Sequence, residues 1–533
     1  MEVMILVFAL VLMSCILFTR LTQRLGLPSL LFFIFLGVLF GVDGVFKIDF
    51  SNYGLTEKLC TLFLVVIIFY GGFGTNWKVA RNVTKPAVLL STLGVILTAI
   101  LTGGFGYYVL RLELIESLVL GAVMSCTDAA SVFSILRSKK LNLKNGSASI
   151  LELESGSNDP IAYMLTILLI ELMNQTANFS DIPLLLFNQI GFGLVIGVLA
   201  GLGSVWVLKR VDLTDGLETL FVLAIALLSY TVPTLIGGNG YLATYLTGLI
   251  IGNASIANKG VLVNFFDGMT GLAQMALFFL LGLLAFPSQI PNSILPAIAI
   301  FLWLTFMARP IVTFLLMKPF NYSMSQKALL AWSGLRGASS IVFAILVVLR
   351  APDTSCDVFH MTFCICLLSV TFQGGFLPWM AHRLNMVDDN EDVLKTFTDY
   401  QEDQISLLQI CITSQHSWAN RTVDELGLED VLILAIKREN QTMIPKGHTT
   451  LKVGDRLVVS GTAYQEEGEL CLKEEQIHKR HPWLNQQVKA LTLPEKELLI
   501  LIKRQDGTAV VPKGETWIQP EDTVVLAAEK KRR

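Results

Sequence analysis

The chain has 533 residues, 53% of them hydrophobic and 16% charged, with a mean hydropathy of +0.60 and a net charge of −3. Ordinary globular domains carry about 25% charged residues, so this composition excludes a soluble enzyme and describes an integral membrane protein. No strongly basic region is present, which argues against nucleic acid as a partner, and eight scattered cysteines without a CxxC argue against a disulfide framework or a zinc site.

About 20 apolar residues span a bilayer as helix. On that rule the chain is expected to hold about thirteen spans, at 2–19, 29–46, 56–73, 86–109, 114–136, 148–173, 183–208, 217–236, 240–257, 262–285, 292–317, 327–349 and 357–381. The first runs directly from Met1-Glu2 without a basic leader, so it reads as a transmembrane helix and not a cleaved signal. The ninth is Gly-rich and the tenth is interrupted by Asp267, which makes them the weakest spans.

Basic residues follow the odd-numbered spans: Arg20 and Arg24, then Lys78, Arg81 and Lys85, then Arg137, Lys139, Lys140 and Lys144, then Lys209 and Arg210, with Lys259, Lys318 and Arg383 later. The alternate loops hold only Lys47, Lys58, Arg111 and Arg350. The positive-inside rule then sets the N-terminus outside and everything after span 13 in the cytoplasm.

Four polar stretches interrupt the apolar spans. Span 5 carries Ser125-Cys126-Thr127-Asp128-Ala129-Ala130, and span 6 carries Glu154-Ser155-Gly156-Ser157-Asn158-Asp159-Pro160. A carboxylate at mid-membrane costs roughly 2.5–3.5 kcal/mol on insertion scales, so such residues point to an ion pathway. On a helix, Ser155 shares a face with Asp159, and Glu154 shares one with Asn158. A carboxyl group at Asp159 can release a proton and then hold a small cation through oxygen. Ser155 and the hydroxyl or backbone carbonyl of Thr127 can supply more oxygens. The competing reading for Asp159 is a salt bridge to another helix; for Asp128 it is a structural acid at a tight helix crossing.

Span 11 contains Arg309-Pro310, and span 12 contains Ser333-Gly334-Leu335-Arg336-Gly337-Ala338-Ser339-Ser340. The small residues of span 5 and the glycines around Arg336 each suggest a broken helix. An intramembrane arginine needs a partner. Glu154 is the natural one, forming a structural ion pair with either Arg336 or Arg309. Glu171 and Asp267 read as interfacial or helix-end residues. Gly71-Gly72, Gly237-Gly238 and Gly374-Gly375 read as packing or span-end devices.

The composition changes near residue 386. Residues 386–401 read as an acidic linker, and 402–533 as a soluble-like tail with short β patterns. The tail repeats itself. Trp418-Ala419-Asn420 matches Trp483-Leu484-Asn485, Ile436-Lys437-Arg438 matches Ile502-Lys503-Arg504, Pro445-Lys446-Gly447 matches Pro512-Lys513-Gly514, and Asp455 matches Asp522. Two copies of a small α+β unit are expected, at 402–470 and 471–533.

With Thr127-Asp128 on one span, Glu154 to Asp159 on the next and Gly334-Leu335-Arg336-Gly337 on a later one, residues 1–385 resemble the NhaP-type monovalent cation:proton antiporters. These belong to the first cation:proton antiporter family, which includes the eukaryotic sodium/proton exchangers. The resemblance implies an all-α fold of thirteen helices, a homodimer in a bacterial inner membrane, and elevator-like alternating access around two crossed, interrupted helices, here spans 5 and 12. It implies that Asp159 takes proton and cation in turn, that Thr127, Ser155 and Asp128 bind or order the site, and that Asn158 before Asp159 marks electroneutral exchange. One departure stands out: family members have an acid before the Gly pair of span 3, where this chain has Tyr70.

The tail resembles tandem TrkA-C modules, which occur with potassium/proton exchange. Such modules dimerise, inhibit, or bind a small anionic ligand such as cyclic di-AMP. The expected function is exchange of K⁺ or Na⁺ for H⁺, with no cofactor and no metal beyond the transported ion. A gated cation channel with a cytoplasmic regulator is the alternative, although no TVGYG filter is present. An intramembrane hydrolase is a third class, but HExxH and GxSxG are both missing.

Overall fold

The computed structural model describes residues 9–529, apart from 10, 18–28, 49, 51, 140, 212–215, 257–258, 352–353, 389–404 and the tail segments 413–417, 427–430, 439–440, 444, 463–469, 478–480, 482, 485, 492–496, 505–508, 511, 513–515 and 521. The chain divides into two compact units, Met1–Gln401 and Glu402–Arg533. Most of the predicted first span, with Arg20 and Arg24, and most of the linker lie outside the described residues.

The first unit is helical: Ser29–Phe40 (α1), Tyr53–Gly74 (α2), Thr84–Tyr108 (α3), Leu114–Val123 (α4), Ala129–Ser138 (α5), Ser147–Met173 (α6), Ile182–Arg210 (α7), Leu217–Leu235 (α8), Gly240–Asn253 (α9), Lys259–Leu284 (α10), Ile290–Leu316 (α11), Met324–Trp332 (α12), Ala338–Arg350 (α13) and Val358–Arg383 (α14). Among the described residues, seven are long and apolar enough to cross a bilayer: α2, α3, α7, α8, α10, α11 and α14. Several starts are capped by side chains. Asn52, Asn239, Ser323 and Asp357 accept from the backbone N–H of Leu55, Leu242, Gln326 and His360, satisfying donors a helix start leaves free.

Spans 5 and 12 are each two half-helices, α4/α5 and α12/α13, broken at the small residues where the sequence suggested a break. Other elements differ from the sequence expectation. The second span stops at Phe40, where Gly41, Asp43 and Gly44 turn the chain. The ninth stops at Asn253, whose amide donates to Thr75 O at 2.9 Å. Asp267 neither interrupts the tenth span nor ends it. It lies inside the continuous helix α10, where the Tyr70 hydroxyl donates to its Oδ1 at 3.3 Å.

Small residues let the helices approach backbone to backbone. A Cβ on Gly72 would strike the Tyr245 carbonyl, and one on Gly248 would strike that of Phe69, so α2 and α9 lock against each other. Gly37 and Gly282 do the same for α1 and α10, and Gly121 lies against the Ala99 carbonyl on α3. Lipid is as apolar as leucine, so close van der Waals packing of this kind supplies the association energy.

Among the described residues, three spans carry a π-turn: Leu90–Gly94 in α3, Leu304–Ala308 in α11 and Ser369–Gly374 in α14. Such turns free backbone groups and often occur at functional sites. Here the last two flank the break in span 12.

Among its described residues, the second unit holds two four-stranded antiparallel sheets. In chain order the strands are Ile405–Cys411 (β1), Val431–Arg438 (β2), Gln441–Met443 (β3), Arg456–Thr462 (β4), Leu470–Gln476 (β5), Glu497–Lys503 (β6), Ala509–Val510 (β7) and Thr523–Glu529 (β8). The sheet orders are β1-β4-β2-β3 and β5-β8-β6-β7, and a bulge recurs at equivalent places, between Ile433 and Ala435 and between Leu499 and Leu501. The buried aspartates repeat too: Asp455 accepts from Arg438, and Asp522 from Arg504. Among the described residues the helical content is one 3-10 turn per sheet, Asp424–Leu426 and Val488–Ala490, so the expected α+β unit is mostly strand.

Candidate functional site

The two breaks touch. Met124–Asp128 joins α4 to α5, and Ser333–Gly337 joins α12 to α13. The Asp128 N–H donates to Leu335 O at 2.8 Å, linking one break to the other through backbone. The Arg336 Nη1 donates to Cys126 O at 2.6 Å, which sets a cation at the carbonyl end of α4. Cys126 Sγ lies 3.1 Å from Ser340 Oγ. Gly337 is required here, because a Cβ would run into the Asp128 carboxylate.

Side chains of α14 pair with backbone groups at and beside the second break. The Arg336 N–H donates to Ser369 Oγ at 3.0 Å, and Gln373 Nε2 donates to Trp332 O at 2.6 Å. Both partners lie in the π-turn of α14. Neither Ser369 nor Gln373 is singled out by the sequence, because a hydroxyl or amide in an apolar helix carries no marker of its partner.

Helix α6 crosses beside the breaks. Pro160 lacks an N–H and leaves the α6 ladder open one turn earlier. Its own carbonyl accepts from Asn239 Nδ2 at 2.7 Å. From α6, Ser155 Oγ donates to Thr127 O at 2.5 Å, and Asn158 Nδ2 donates to Thr127 Oγ1 at 2.6 Å. Thr127 is therefore gripped at its carbonyl and its hydroxyl, so Asn158 works with Ser155 and not with Glu154.

Asp159 is buried, and its Oδ2 accepts from Ser339 Oγ at 2.7 Å. Its Oδ1, and the Oδ1 of Asn158, are buried without a hydrogen-bond partner among the described residues. Buried polar atoms are ordinarily satisfied. A carboxylate oxygen and an amide oxygen left open beside helix ends therefore suit a small cation or a proton. Among the predicted site residues, the structure brings Thr127, Ser155, Asn158 and Asp159 together around the first break. Ser339 joins them, although the sequence reading gave it no role.

Asp128 lies at the start of α5. Its Oδ2 accepts from Ser131 Oγ at 2.6 Å and its Oδ1 from the Ser131 N–H at 3.3 Å. That is a helix N-cap for α5. The ion-pair question resolves in favour of Arg309, whose Nη2 lies 2.5 Å from Glu154 Oε1 with both side chains buried. Arg336 points at the Cys126 carbonyl and is not part of that bridge.

A family model described as "Sodium/hydrogen exchanger, transmembrane" matches residues 8–383. This chain belongs to that exchanger family. A TrkA-C domain model matches residues 407–466. The K(+)/H(+) antiporter NhaP of Alkalimonas amylolytica is 36% identical over 72% of this chain and 67% of its own length. The K(+)/H(+) antiporter NhaP2 of Shewanella oneidensis is 33% identical over 84% of this chain and 79% of its own. Among solved structures, the sodium proton antiporter MjNhaP1 from Methanocaldococcus jannaschii at pH 8 superposes with a TM-score of 0.64 at 25% identity, covering 72% of this chain and 99% of that one. The exchanger match ends before the tail, and the TrkA-C match covers the first of the two sheets.

Tyr70 stands where the resemblance leads one to expect an acid. It packs in an apolar cluster with Phe69, Phe73 and Phe266, and its hydroxyl reaches Asp267 on α10. A carboxylate there would be desolvated among phenylalanines.

Proposed function

We propose that this protein is a secondary active antiporter that exchanges a monovalent cation, K⁺ ahead of Na⁺, for H⁺. The observation that carries the reading is Asp159: a buried carboxylate beside two touching helix breaks, hydrogen-bonded at Oδ2 and open at Oδ1. A proton and a cation compete for that one group, and the competition couples their fluxes. Thr127, Ser155 and Asn158 order the oxygens around it. Asp128 caps α5, and the Glu154–Arg309 pair fastens α6 to α11. With a single buried carboxylate as carrier, one cation leaves for each proton that enters, so exchange is electroneutral.

The breaks supply the moving part. Half-helices meeting at hydrogen-bonded turns can shift as a body past the close-packed α1, α2, α9 and α10, which is elevator-like alternating access. The protein works as a homodimer in a bacterial inner membrane, with the N-terminus outside and the tail in the cytoplasm. Residues 402–470 and 471–533 act as two TrkA-C modules that regulate exchange. A small anionic ligand such as cyclic di-AMP is their candidate effector. The antiporter relatives favour this reading over a gated channel or an enzyme.

The test is ion-driven proton movement in proteoliposomes with the membrane potential clamped. Addition of K⁺ should drive proton efflux at a rate above that with Na⁺ or Li⁺. Cation leakage without proton movement would support the channel instead.

A further inference from the structure

The two oxygens of Asp159 are not equivalent. Oδ2 is held at 2.7 Å by the Ser339 hydroxyl, from the first turn of α13, while Oδ1 is buried and open. Ser339 follows directly on the break. The break is tied to its counterpart through Asp128 N–H to Leu335 O, Arg336 Nη1 to Cys126 O and the Cys126–Ser340 contact. The hydroxyl is therefore delivered to Asp159 by the crossed breaks themselves, not by α6.

A hydrogen bond donated to an ionised carboxylate is charge-assisted and draws negative charge toward the bonded oxygen. The geometry points to Ser339 as a specificity-determining residue: it reserves Oδ2, leaves Asp159 a one-oxygen ligand, and lowers the field that Oδ1 presents to the cation. This inference rests on Asp159 being the exchanging group. The field strength of coordinating oxygens is one determinant of alkali-ion preference. A stronger anionic field favours the smaller ion, because Coulomb attraction grows as the ion–oxygen distance shrinks. By weakening the field, Ser339 shifts preference toward the larger K⁺. Removing the hydroxyl strengthens the field and also frees Oδ2, so preference moves toward Na⁺ and Li⁺.

The quantity to read is the ratio of KM for K⁺ to KM for Na⁺, measured at one pH in proteoliposomes for the wild type, Ser339→Ala and Ser339→Thr. Proton competition multiplies both KM values alike and cancels in the ratio, and a general folding defect lowers Vmax without moving it. The expected result is a rise of roughly threefold or more in Ser339→Ala, with the wild-type ratio restored in Ser339→Thr, whose hydroxyl can make the same bond. An unchanged ratio in Ser339→Ala overturns the proposal, as does a changed ratio that threonine fails to restore. If Ser339→Ala transports too slowly to assay, the concentrations of K⁺ and Na⁺ that protect the purified full-length variants from thermal unfolding give the same ratio, with the same two overturning results. Absence of exchange in the wild type would instead be a failure of the antiport reading, so the two failures are distinguishable.

Discussion

Arg309 Nη2 lies 2.5 Å from Glu154 Oε1, and both side chains are buried. The pair joins α6, which carries Asp159, to α11. Two further atoms of the pair, Glu154 Oε2 and Arg309 Nε, make no hydrogen bond among the described residues. Removing one partner should therefore strand a buried charge. Glu154→Ala and Arg309→Ala are each expected to destabilise the protein by about 3–5 kcal/mol. The double change to Glu154→Met and Arg309→Met should recover most of the lost melting temperature in detergent, since an apolar pair of similar volume carries no desolvation cost. A double variant no better than the singles would give the pair a role beyond mutual neutralisation.

Gly337 sits where a Cβ would meet the Asp128 carboxylate. Gly337→Ala should push Asp128 off its cap on Ser131 and separate the two breaks. Overpacking of this kind costs about 1–3 kcal/mol. Exchange should fall at least about tenfold, with a smaller loss of folded protein, because the displaced contact is at the crossing and not in the general core. Vmax per folded molecule, counted by size-exclusion chromatography, checks this.

Tyr70→Asp restores the acid that family resemblance leads one to expect, but in a cluster of Phe69, Phe73 and Phe266. Losing a buried aromatic ring and burying a carboxylate should destabilise the protein by about 3 kcal/mol or more. Tyr70→Phe keeps the ring, loses the 3.3 Å bond to Asp267 and should cost about 1 kcal/mol. Thermal unfolding of the two variants side by side distinguishes the aromatic packing from the hydroxyl.

In the tail, Arg438 Nε and Nη2 each donate to Asp455 at 2.7 Å, and the Lys452 N–H adds a third bond at 2.8 Å. The hydrogen bonds from Arg438 hold the Asp455 carboxyl below its ordinary value. A group depressed in the folded state stabilises above its unfolded pKa and loses that contribution as pH falls through the folded one. The wild-type tail should thus resist proteolysis down to pH values near or below 4. Arg438→Ala should be cleaved faster at neutral pH and show less further loss on acidification. An identical pH dependence in both proteins would contradict this assignment.

Much of the site was legible because polar residues in apolar spans are costly and therefore conspicuous. Thr127-Asp128, Glu154 to Asp159 and Gly334 to Gly337 announce themselves in that way, and their small neighbours announce the breaks. What could not be read was pairing. Arg309 and Arg336 are chemically equal candidates for Glu154, and only the fold sets one on the carboxylate and the other on a carbonyl. For Asp128 the sequence left binding the site, ordering it and a structural role open, because its capping partner, Ser131, is an unremarkable residue of span 5. Ser339 was hidden among the small residues of its break, and the π-turns that bring Ser369 and Gln373 to the second break have no sequence signature. Asp267 suggested an interruption where α10 runs on, because a side chain that accepts from Tyr70 needs no break in the helix.

The most direct test of the central claim is K⁺-driven proton movement in proteoliposomes, comparing the wild type with Asp159→Asn under a clamped membrane potential. The account predicts robust exchange in the wild type and none in the variant, with both proteins equally folded. Exchange that persists in folded Asp159→Asn would remove this carboxylate from the transport cycle and contradict the account.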